Sequence, residues 1–305
     1  MVGLRFGVYY STMRRLVALI LTDRASSLMI DLQDIYQRGH MYPHDYHLHS
    51  NFSCDGKASI VEQCLSAIAK GVPEIGLTEH YDLHPGEECR DWFRVDEWAA
   101  ELDRARREFE GRLIVRAGIE IGEPHLYRAE AQALLKSYPF DYALGSLHWV
   151  GDEIIFDRHY FQRRSPDEAF GRFFEELERM TRAGGFEVLS HFDVAVRTGK
   201  PFYGGYDPRR YEEAIRAVLK NCIDHGIALD LNTQGLRSRC QLLTPGVEIL
   251  TWYREMGGER ITLGSDAHTP DVIAANFEAA IEAMQAAGLK YVTMFEKREA
   301  RLVKV

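Results

Sequence analysis

Histidines and carboxylates recur in short patterns along this sequence. Two of the patterns are pairs separated by one residue, His47 with His49 and Asp266 with His268. The other candidates stand singly, and they are His80, Glu120, His148 and His191. Imidazole and carboxylate groups without thiolates suit Zn, Mn or Fe, and they suit Ca or soft copper poorly. Because one tetrahedral ion cannot use so many ligands, the pattern predicts two or three divalent ions.

Each candidate falls at the end of a predicted strand. From about residue 44 onward, short β-branched runs alternate with longer amphipathic patterns, as in βαβ units. Strands are predicted near 44–48, 74–78, 113–119, 142–147, 186–190, 227–231, 260–264 and possibly 290–295. Helices are predicted near 58–70, 95–109, 127–136, 166–182, 208–225, 246–256 and 271–287. Seven or eight such units favour a closed or nearly closed α/β barrel, with a doubly wound open sheet as the alternative. In both folds, reactive groups gather at the carboxyl ends of the strands.

A single histidine after a strand is more often a surface or hydrogen-bonded residue than a metal ligand. Here, however, the coincidence carries weight, because six of the 12 histidines occupy strand ends. Alternate residues on a strand face the same way, so His47 and His49 can bind one ion together. Polar groups gathered at one rim cost free energy to bury unless they are paired. The pattern therefore favours a shared metal cluster.

Length and charge limit the remaining possibilities. The chain has 305 residues, which suits one barrel of about 250 residues plus a terminal extension. Its net charge of −9 argues against a general nucleic-acid binder. An anionic substrate remains compatible with that charge, because bound divalent ions dominate the local field. No apolar run reaches about 18 residues, so no membrane span is expected. The sequence predicts no oligomeric state.

Cysteine usage predicts a reducing compartment. The five cysteines are Cys54, Cys64, Cys89, Cys222 and Cys240, and no C-x-x-C pair occurs. An odd number without such pairs predicts neither a disulfide framework nor a thiolate zinc site. Cys54, beside the first histidine motif, is expected to be an inert free cysteine. We therefore expect a cytoplasmic protein.

Residues 1–40 are expected to form an N-terminal extension outside the catalytic domain. Segment 15–22 is apolar but short, and it lacks a small-residue cleavage site, which disfavours a signal peptide. A short extra helix is one interpretation. The other is an upstream start codon, with the functional chain beginning at Met29 or Met41.

Taken together, the motifs resemble the polymerase and histidinol phosphatase (PHP) superfamily over roughly residues 41–295. The motifs are His47-x-His49, Asp55, His80 in T-E-H, Glu120 in G-I-E, His148 in G-S-L-H, His191, and Asp266-x-His268 in G-S-D-A-H. Segment 229–237 is similar to the N-T-S-G-L-R segment of the stand-alone histidinol-phosphate phosphatases, although Gln234 replaces the usual small residue. Polymerase-associated members carry large extra domains, for which 305 residues leave no room.

The resemblance implies a distorted seven-stranded (β/α) barrel at residues 41–305 with a trinuclear metal site. It assigns the first ion to His47, His49, Glu120 and Asp266. Glu120 would bridge to a second ion completed by His148 and His191, and Asp55, His80 and His268 would hold a third. Glu120, His80 and Asp266 are the expected catalytic residues. The turn-like sequence around Asp55 makes an ordinary turn the alternative for that residue.

The expected reaction is hydrolysis of a small phosphomonoester, and the resemblance implies L-histidinol phosphate in histidine biosynthesis. The alternatives are another small phosphate or a nucleotide as substrate, or a metal-binding module without catalysis. A phosphate favours an arginine fork, and the candidates are Arg197, Arg237 and Arg158. Solvated surface positions are the alternative for these arginines. Asp157 or Asp193 could bind a cationic imidazole or amine of the substrate.

Overall fold

The computed structural model describes residues 42–305, so the predictions for residues 1–40 lie outside the described residues. Its strands are β1 (Asp45–Leu48), β2 (Glu74–Tyr81), β3 (Ile114–Gly122), β4 (Leu144–Ser146), β5 (Trp149–Val150), β6 (Glu153–Ile154), β7 (Val188–Leu189), β8 (Ala228–Asn232), β9 (Ile261–Gly264), β10 (Tyr291–Glu296) and β11 (Glu299–Lys304). Its α-helices are α1 (Ile60–Ala69), α2 (Val95–Glu108), α3 (Arg128–Ser137), α4 (Arg158–Gln162), α5 (Pro166–Ala183), α6 (Val196–Tyr203), α7 (Glu212–His225), α8 (Val247–Glu255) and α9 (Phe277–Ala286).

Seven parallel strands form the central sheet in the order β1-β2-β3-β4-β7-β8-β9. The two edges meet just beyond β9, where Leu48 forms a parallel bridge with Ala267. There His49 N donates to Ala267 O at 2.8 Å, and Asp266 N donates to His47 O at 2.7 Å. These bonds close the sheet into a nearly complete barrel. The predicted seven-stranded barrel is confirmed, and the open-sheet alternative is wrong.

Local sequence signals explain where several helices begin and end. Ser59 and Glu62 form a reciprocal capping box at the start of α1. Ser165 caps α5, whose first residue is Pro166, and proline suits that position because its missing N–H is not needed there. Gly226 ends α7 in the left-handed conformation with φ 68°. These helices pack around the barrel and leave its carboxyl-terminal rim to the loops.

Some elements differ from the expectations. The strand expected near 290–295 exists as β10, but it pairs antiparallel with β11 outside the barrel sheet. The β5–β6 hairpin and the short helices α4 and α6 were not predicted. Helix α9 begins at Phe277 rather than 271, because Pro270–Val272 forms a separate 3-10 turn. No helix within residues 42–305 is both long and apolar enough to span a membrane.

Tyr142 packs against the first three strands of the barrel, β1, β2 and β3. Its ring is fully buried, and its hydroxyl donates to Tyr46 O at 2.8 Å. A Cβ at Gly76 would lie 1.8 Å from that hydroxyl, and a Cβ at Gly118 would lie 2.8 Å from the ring carbon Cζ. The two glycines of β2 and β3 therefore make room for the ring.

We expect Gly76→Ala to destabilise the protein, because the added methyl displaces a buried ring and breaks its hydrogen bond. The cost should be about 2–4 kcal/mol in the free energy of unfolding. Urea unfolding of both proteins measures it. Gly171→Ala is a matched control, since a Cβ at Gly171 would meet nothing within 4 Å. Equal stability of Gly76→Ala and the unmodified protein would contradict this packing argument.

One cysteine expectation is wrong. Cys54 and Cys89 form a disulfide with their Cα atoms 5.6 Å apart, so Cys54 is not a free cysteine. The other three cysteines are free and buried. The two partners lie 35 residues apart in separate loops, and their proximity follows only from the folded barrel. Because disulfides persist mainly in oxidising surroundings, cysteine usage no longer supports a cytoplasmic location.

Candidate metal centre

A cavity of about 570 Å³ opens at the carboxyl ends of the barrel strands. It is lined by seven of the nine predicted metal ligands, namely Asp55, His80, Glu120, His148, His191, Asp266 and His268. The other two, His47 and His49, are fully buried and contact the lining carboxylates from beneath. The structure thus gathers all nine residues in one place, and it draws them from six strand ends and the loop after β1.

Glu120, at the end of β3, lies at the centre of the cluster. Its Oε2 atom faces three imidazole nitrogens, those of His47 at 3.2 Å, His80 at 3.3 Å and His49 at 3.4 Å. Its Oε1 atom faces the Nε2 atoms of His191 at 3.1 Å and His148 at 3.6 Å. Since the two oxygens of this carboxylate face different histidines, Glu120 would be available to more than one ion if the cluster held several.

A second group of residues surrounds Asp266. Asp266 Oδ1 lies 3.6 Å from His49 Nε2 and 3.5 Å from His268 Nδ1. His268 Nε2 in turn lies 2.9 Å from Asp55 Oδ2, and Asp55 Oδ1 lies 3.8 Å from His80 Nε2. Asp55 is therefore in contact with the cluster rather than in an isolated turn.

The donor atoms fit divalent ions. Nitrogen and oxygen ligands of one tetrahedral zinc, each about 2.1 Å from it, are roughly 3.4 Å apart, and most of these pairs lie near that separation. Five overlapping groups of three residues hold their ligand atoms within 4.8 Å of one another. Within residues 42–305, His49 Nε2 and His80 Nδ1 are buried without a hydrogen-bond partner. Buried polar atoms rarely lack partners, and bound ions would satisfy these two.

The pKa shifts of the two central carboxylates and of two histidines favour metal binding. Burial alone would raise the pKa of Glu120, but the neighbouring His47 and His80 hold it well below its usual range. The pKa of Asp266 is likewise well below its usual range, because His47 and Arg197 outweigh the effect of burial. Burial lowers the pKa of His49 to about 3 and that of His191 to about 4. Ionised carboxylates and neutral imidazoles are the forms that bind metal. Neighbouring carboxylates outweigh burial and raise the pKa of His47, His148 and His268, so these three imidazoles must lose a proton when an ion binds.

Two candidate ligands have unusual backbone conformations. Asp266 has φ 54° and His191 has φ 22°, in the region that residues other than glycine seldom occupy. Such conformations are costly, and they persist where the surrounding structure requires them. Here each conformation directs a side chain into the cluster.

Asp230, which the sequence analysis missed, orients His47. Its Oδ2 atom lies 2.8 Å from His47 Nδ1 and accepts a hydrogen bond from Asn232 Nδ2 at 3.0 Å. A Cβ at Gly264 would lie 2.2 Å from Asp230 Oδ1 and 2.6 Å from His47 Cβ, so only glycine leaves room there. The signal for Asp230 was a carboxylate within an otherwise apolar strand.

We expect Asp230→Asn to weaken metal binding by roughly 10- to 100-fold, because carboxylates behind metal-binding histidines fix ring orientation and raise basicity. Titration of the metal-free variant with Zn²⁺ against a competing chelator measures this affinity. Thermal unfolding of the metal-free proteins checks that the barrel is intact. Unchanged zinc affinity would contradict the role of Asp230.

Asp82 is a second residue that the sequence analysis missed. It lies beyond β2, with Oδ2 3.4 Å from His80 Nδ1 and Oδ1 3.3 Å from His148 Nδ1. His80 and Asp82 are separated by one residue, the same spacing as in the His47–His49 pair. This spacing at the end of a strand was the available signal.

Only one of the predicted substrate-binding residues lines the cavity. Arg197, in the first turn of α6, lies on its wall, and Nη2 donates to Asp266 Oδ2 at 2.9 Å. Arg158 lines a neighbouring cavity instead.

The other predicted substrate contacts have local roles. Arg237 donates to the backbone oxygen of Ser265 at 2.6 Å. Asp157 is exposed and caps α4. Asp193 is buried without lining the cavity, and burial raises its pKa to about 7. These three residues were expected at the substrate because they follow strands closely in sequence, but loop geometry turns their side chains elsewhere.

Comparison with known proteins agrees with this geometry. The PHP domain family model matches residues 45–234. A Clostridium acetobutylicum protein named "probable histidinol-phosphatase" is 31% identical over 257 residues, which cover 83% of this chain and 97% of that protein. The histidinol-phosphatase of Lactococcus lactis is 27% identical over 232 residues, covering 73% of this chain and 83% of the relative.

A solved structure also resembles this chain. It is a crystal structure of the Lactococcus lactis histidinol phosphate phosphatase complexed with zinc, L-histidinol and phosphate. It matches with a TM-score of 0.78 at 23% identity, covering 86% of this chain and 100% of the other. Since the family model spans more than half of the sequence, this chain belongs to the PHP domain family.

Proposed function

We propose that this chain hydrolyses L-histidinol phosphate to L-histidinol and phosphate, as a metal-dependent phosphomonoesterase of histidine biosynthesis. The observation that carries the proposal is the convergence of six histidines with Glu120 and Asp266 on one cavity at the carboxyl-terminal rim of the barrel. Curated relatives that this chain matches over most of their length carry the name histidinol-phosphatase. The proposal also includes two or three ions of Zn, Mn or Fe, and a small-molecule substrate.

Each residue of the site has a separate role in the proposed reaction. Glu120, His80 and Asp266 are the proposed catalytic residues, and all three line the cavity. Bound divalent ions would supply Lewis-acid activation of a water and of the phosphoryl oxygens. Arg197 donates hydrogen bonds to the phosphate, and its charge offsets the charge of that group. Asp230 holds His47 in the orientation that its place in the cluster requires.

A substrate panel with controlled metal content tests the proposal. The metal-free chain is reconstituted with Zn²⁺, Mn²⁺ or Fe²⁺, and phosphate release is measured from L-histidinol phosphate, AMP, glycerol phosphate and p-nitrophenyl phosphate. We expect the highest kcat/KM on L-histidinol phosphate, its loss with a chelator and its return with metal. Preference for AMP would reject the proposed substrate. Full activity after removal of all metal would reject the metal-dependent chemistry.

A further inference from the structure

Five carboxylates line the catalytic cavity, and one of them takes no part in the metal cluster. The other four each contact a histidine of the cluster, and they are Asp55, Asp82, Glu120 and Asp266. Glu87 is the exception. Its Oε2 accepts a hydrogen bond from Trp149 Nε1 at 3.1 Å, and its Oε1 accepts one from Cys89 N at 3.4 Å.

Among the described residues, no cationic side chain pairs with the carboxylate of Glu87. Within residues 42–305, no lysine or arginine nitrogen lies within 4.0 Å of its carboxylate. Its two partners are neutral N–H groups, which orient the carboxylate but leave the charge in place. A cationic ligand in the cavity would supply the charge partner that this half-buried carboxylate lacks.

The loop that carries Glu87 is fixed relative to the metal centre. Residues 82–94 connect β2 to α2, and connections of this length are uncommon unless they serve a function. The disulfide joins Cys89, two residues after Glu87, to Cys54, which precedes the candidate ligand Asp55. Earlier in the same loop, His84 stacks on Trp149 of β5 with ring centroids 3.9 Å apart. A covalent bond and an aromatic stack thus hold Glu87 at a defined place on the cavity wall.

We propose that Glu87 binds the cationic amine or imidazole group of the substrate and so selects amine-bearing phosphate monoesters. The inference rests on the proposed phosphomonoesterase function. Arg197 and the divalent ions that the cluster would hold would supply positive charge at the phosphate end, and Glu87 provides the remaining negative charge for the organic end. The carboxylates predicted for this role, Asp157 and Asp193, do not line the cavity, whereas Glu87 does.

The variant Glu87→Gln tests the inference, because it removes the charge while an amide oxygen still accepts from Trp149. The metal-loaded proteins are compared on L-histidinol phosphate and on p-nitrophenyl phosphate, which has no cationic group. We expect KM for L-histidinol phosphate to rise roughly 10- to 100-fold, as for loss of a hydrogen bond to a charged group. The kinetic constants for p-nitrophenyl phosphate should remain within about twofold. Equal losses on both substrates, or no loss on either, would overturn the inference.

Two controls distinguish a loss of amine selectivity in Glu87→Gln from other causes of lost activity. Glu88→Gln changes an exposed neighbour that does not line the cavity, and it should leave both substrates unaffected. If the unmodified chain does not hydrolyse L-histidinol phosphate, the proposed substrate is wrong, but the selectivity remains testable with O-phosphoethanolamine against ethyl phosphate. A preference for the amine that Glu87→Gln removes would then support the inference. Absence of any amine preference in the unmodified chain would overturn it.

Discussion

Replacing Glu120 with alanine should lower kcat by at least roughly 10³-fold, the largest effect expected of any single substitution in this chain. The reason is that Glu120 is shared. One oxygen faces three histidines and the other faces two, so its removal breaks contacts on both sides of the cluster. A ligand at the edge of the cluster, such as Asp55, would by comparison be expected to affect only one part of it.

Metal content distinguishes this explanation from simple unfolding. Inductively coupled plasma analysis of the purified Glu120→Ala protein should show the loss of at least one ion per chain, with far-UV circular dichroism unchanged. Glu120→Gln is the matched variant, because it keeps the side-chain volume but removes the negative charge that faces the five histidines. We expect it to be nearly as inactive. Full metal content together with more than a tenth of normal activity in either variant would contradict the bridging role.

The barrel and its cluster were predictable because both follow from periodicity. Alternation along β1 places His47 and His49 on one face, and parallel strands bring their carboxyl ends to one rim. The structure places Glu120, His148 and His191 on that rim as well. These relations depend on the backbone pattern of strand and helix, and that pattern is visible in a single sequence.

Residues whose placement depends on loops were not predictable in the same way. Cys54 and Cys89 belong to two different loops, and nothing in their spacing indicates a disulfide. Asp157 and Glu87 are both loop carboxylates near the site, and the sequence offered no reason to prefer Glu87. The side chain that enters the cavity depends on turns fixed by tertiary contacts, such as the stack of His84 on Trp149.

Asp82 and Asp230, which contact candidate ligand histidines, each left a signal in the sequence, but neither signal was distinctive. Asp82 repeats the one-residue spacing of the histidine pair, and Asp230 places a charge inside an apolar strand. A buried carboxylate can equally satisfy backbone groups, as Glu79 does by accepting from Ser50 N at 2.9 Å. Only the distances to imidazole nitrogens separate a carboxylate that supports the cluster from one that supports the backbone.

Replacing Arg197 with alanine should lower kcat/KM by roughly 100- to 1,000-fold, the usual cost of losing a preorganised donor to a charged oxygen. Its side chain is 12% exposed and borders the cavity. Nη2 is engaged with Asn232 Oδ1 at 2.8 Å and with Asp266 Oδ2 at 2.9 Å. The Nε atom is buried without a hydrogen-bond partner among the described residues, which leaves donor capacity in a group that already faces the site.

Arg237→Ala is the matched control for this prediction. Arg237 donates to Ser265 O and Thr233 Oγ1 and does not line the cavity, so its loss should reduce stability while kcat/KM stays within about threefold. Arg197 has two contacts that could explain a loss of activity, the phosphate and Asp266. Inhibition by inorganic phosphate, measured with saturating metal, separates them. If Arg197 binds the phosphate, phosphate inhibition weakens while metal content is retained. If Arg197 only positions Asp266, metal affinity falls and phosphate inhibition is restored once metal is saturating, and that result would remove Arg197 from substrate binding.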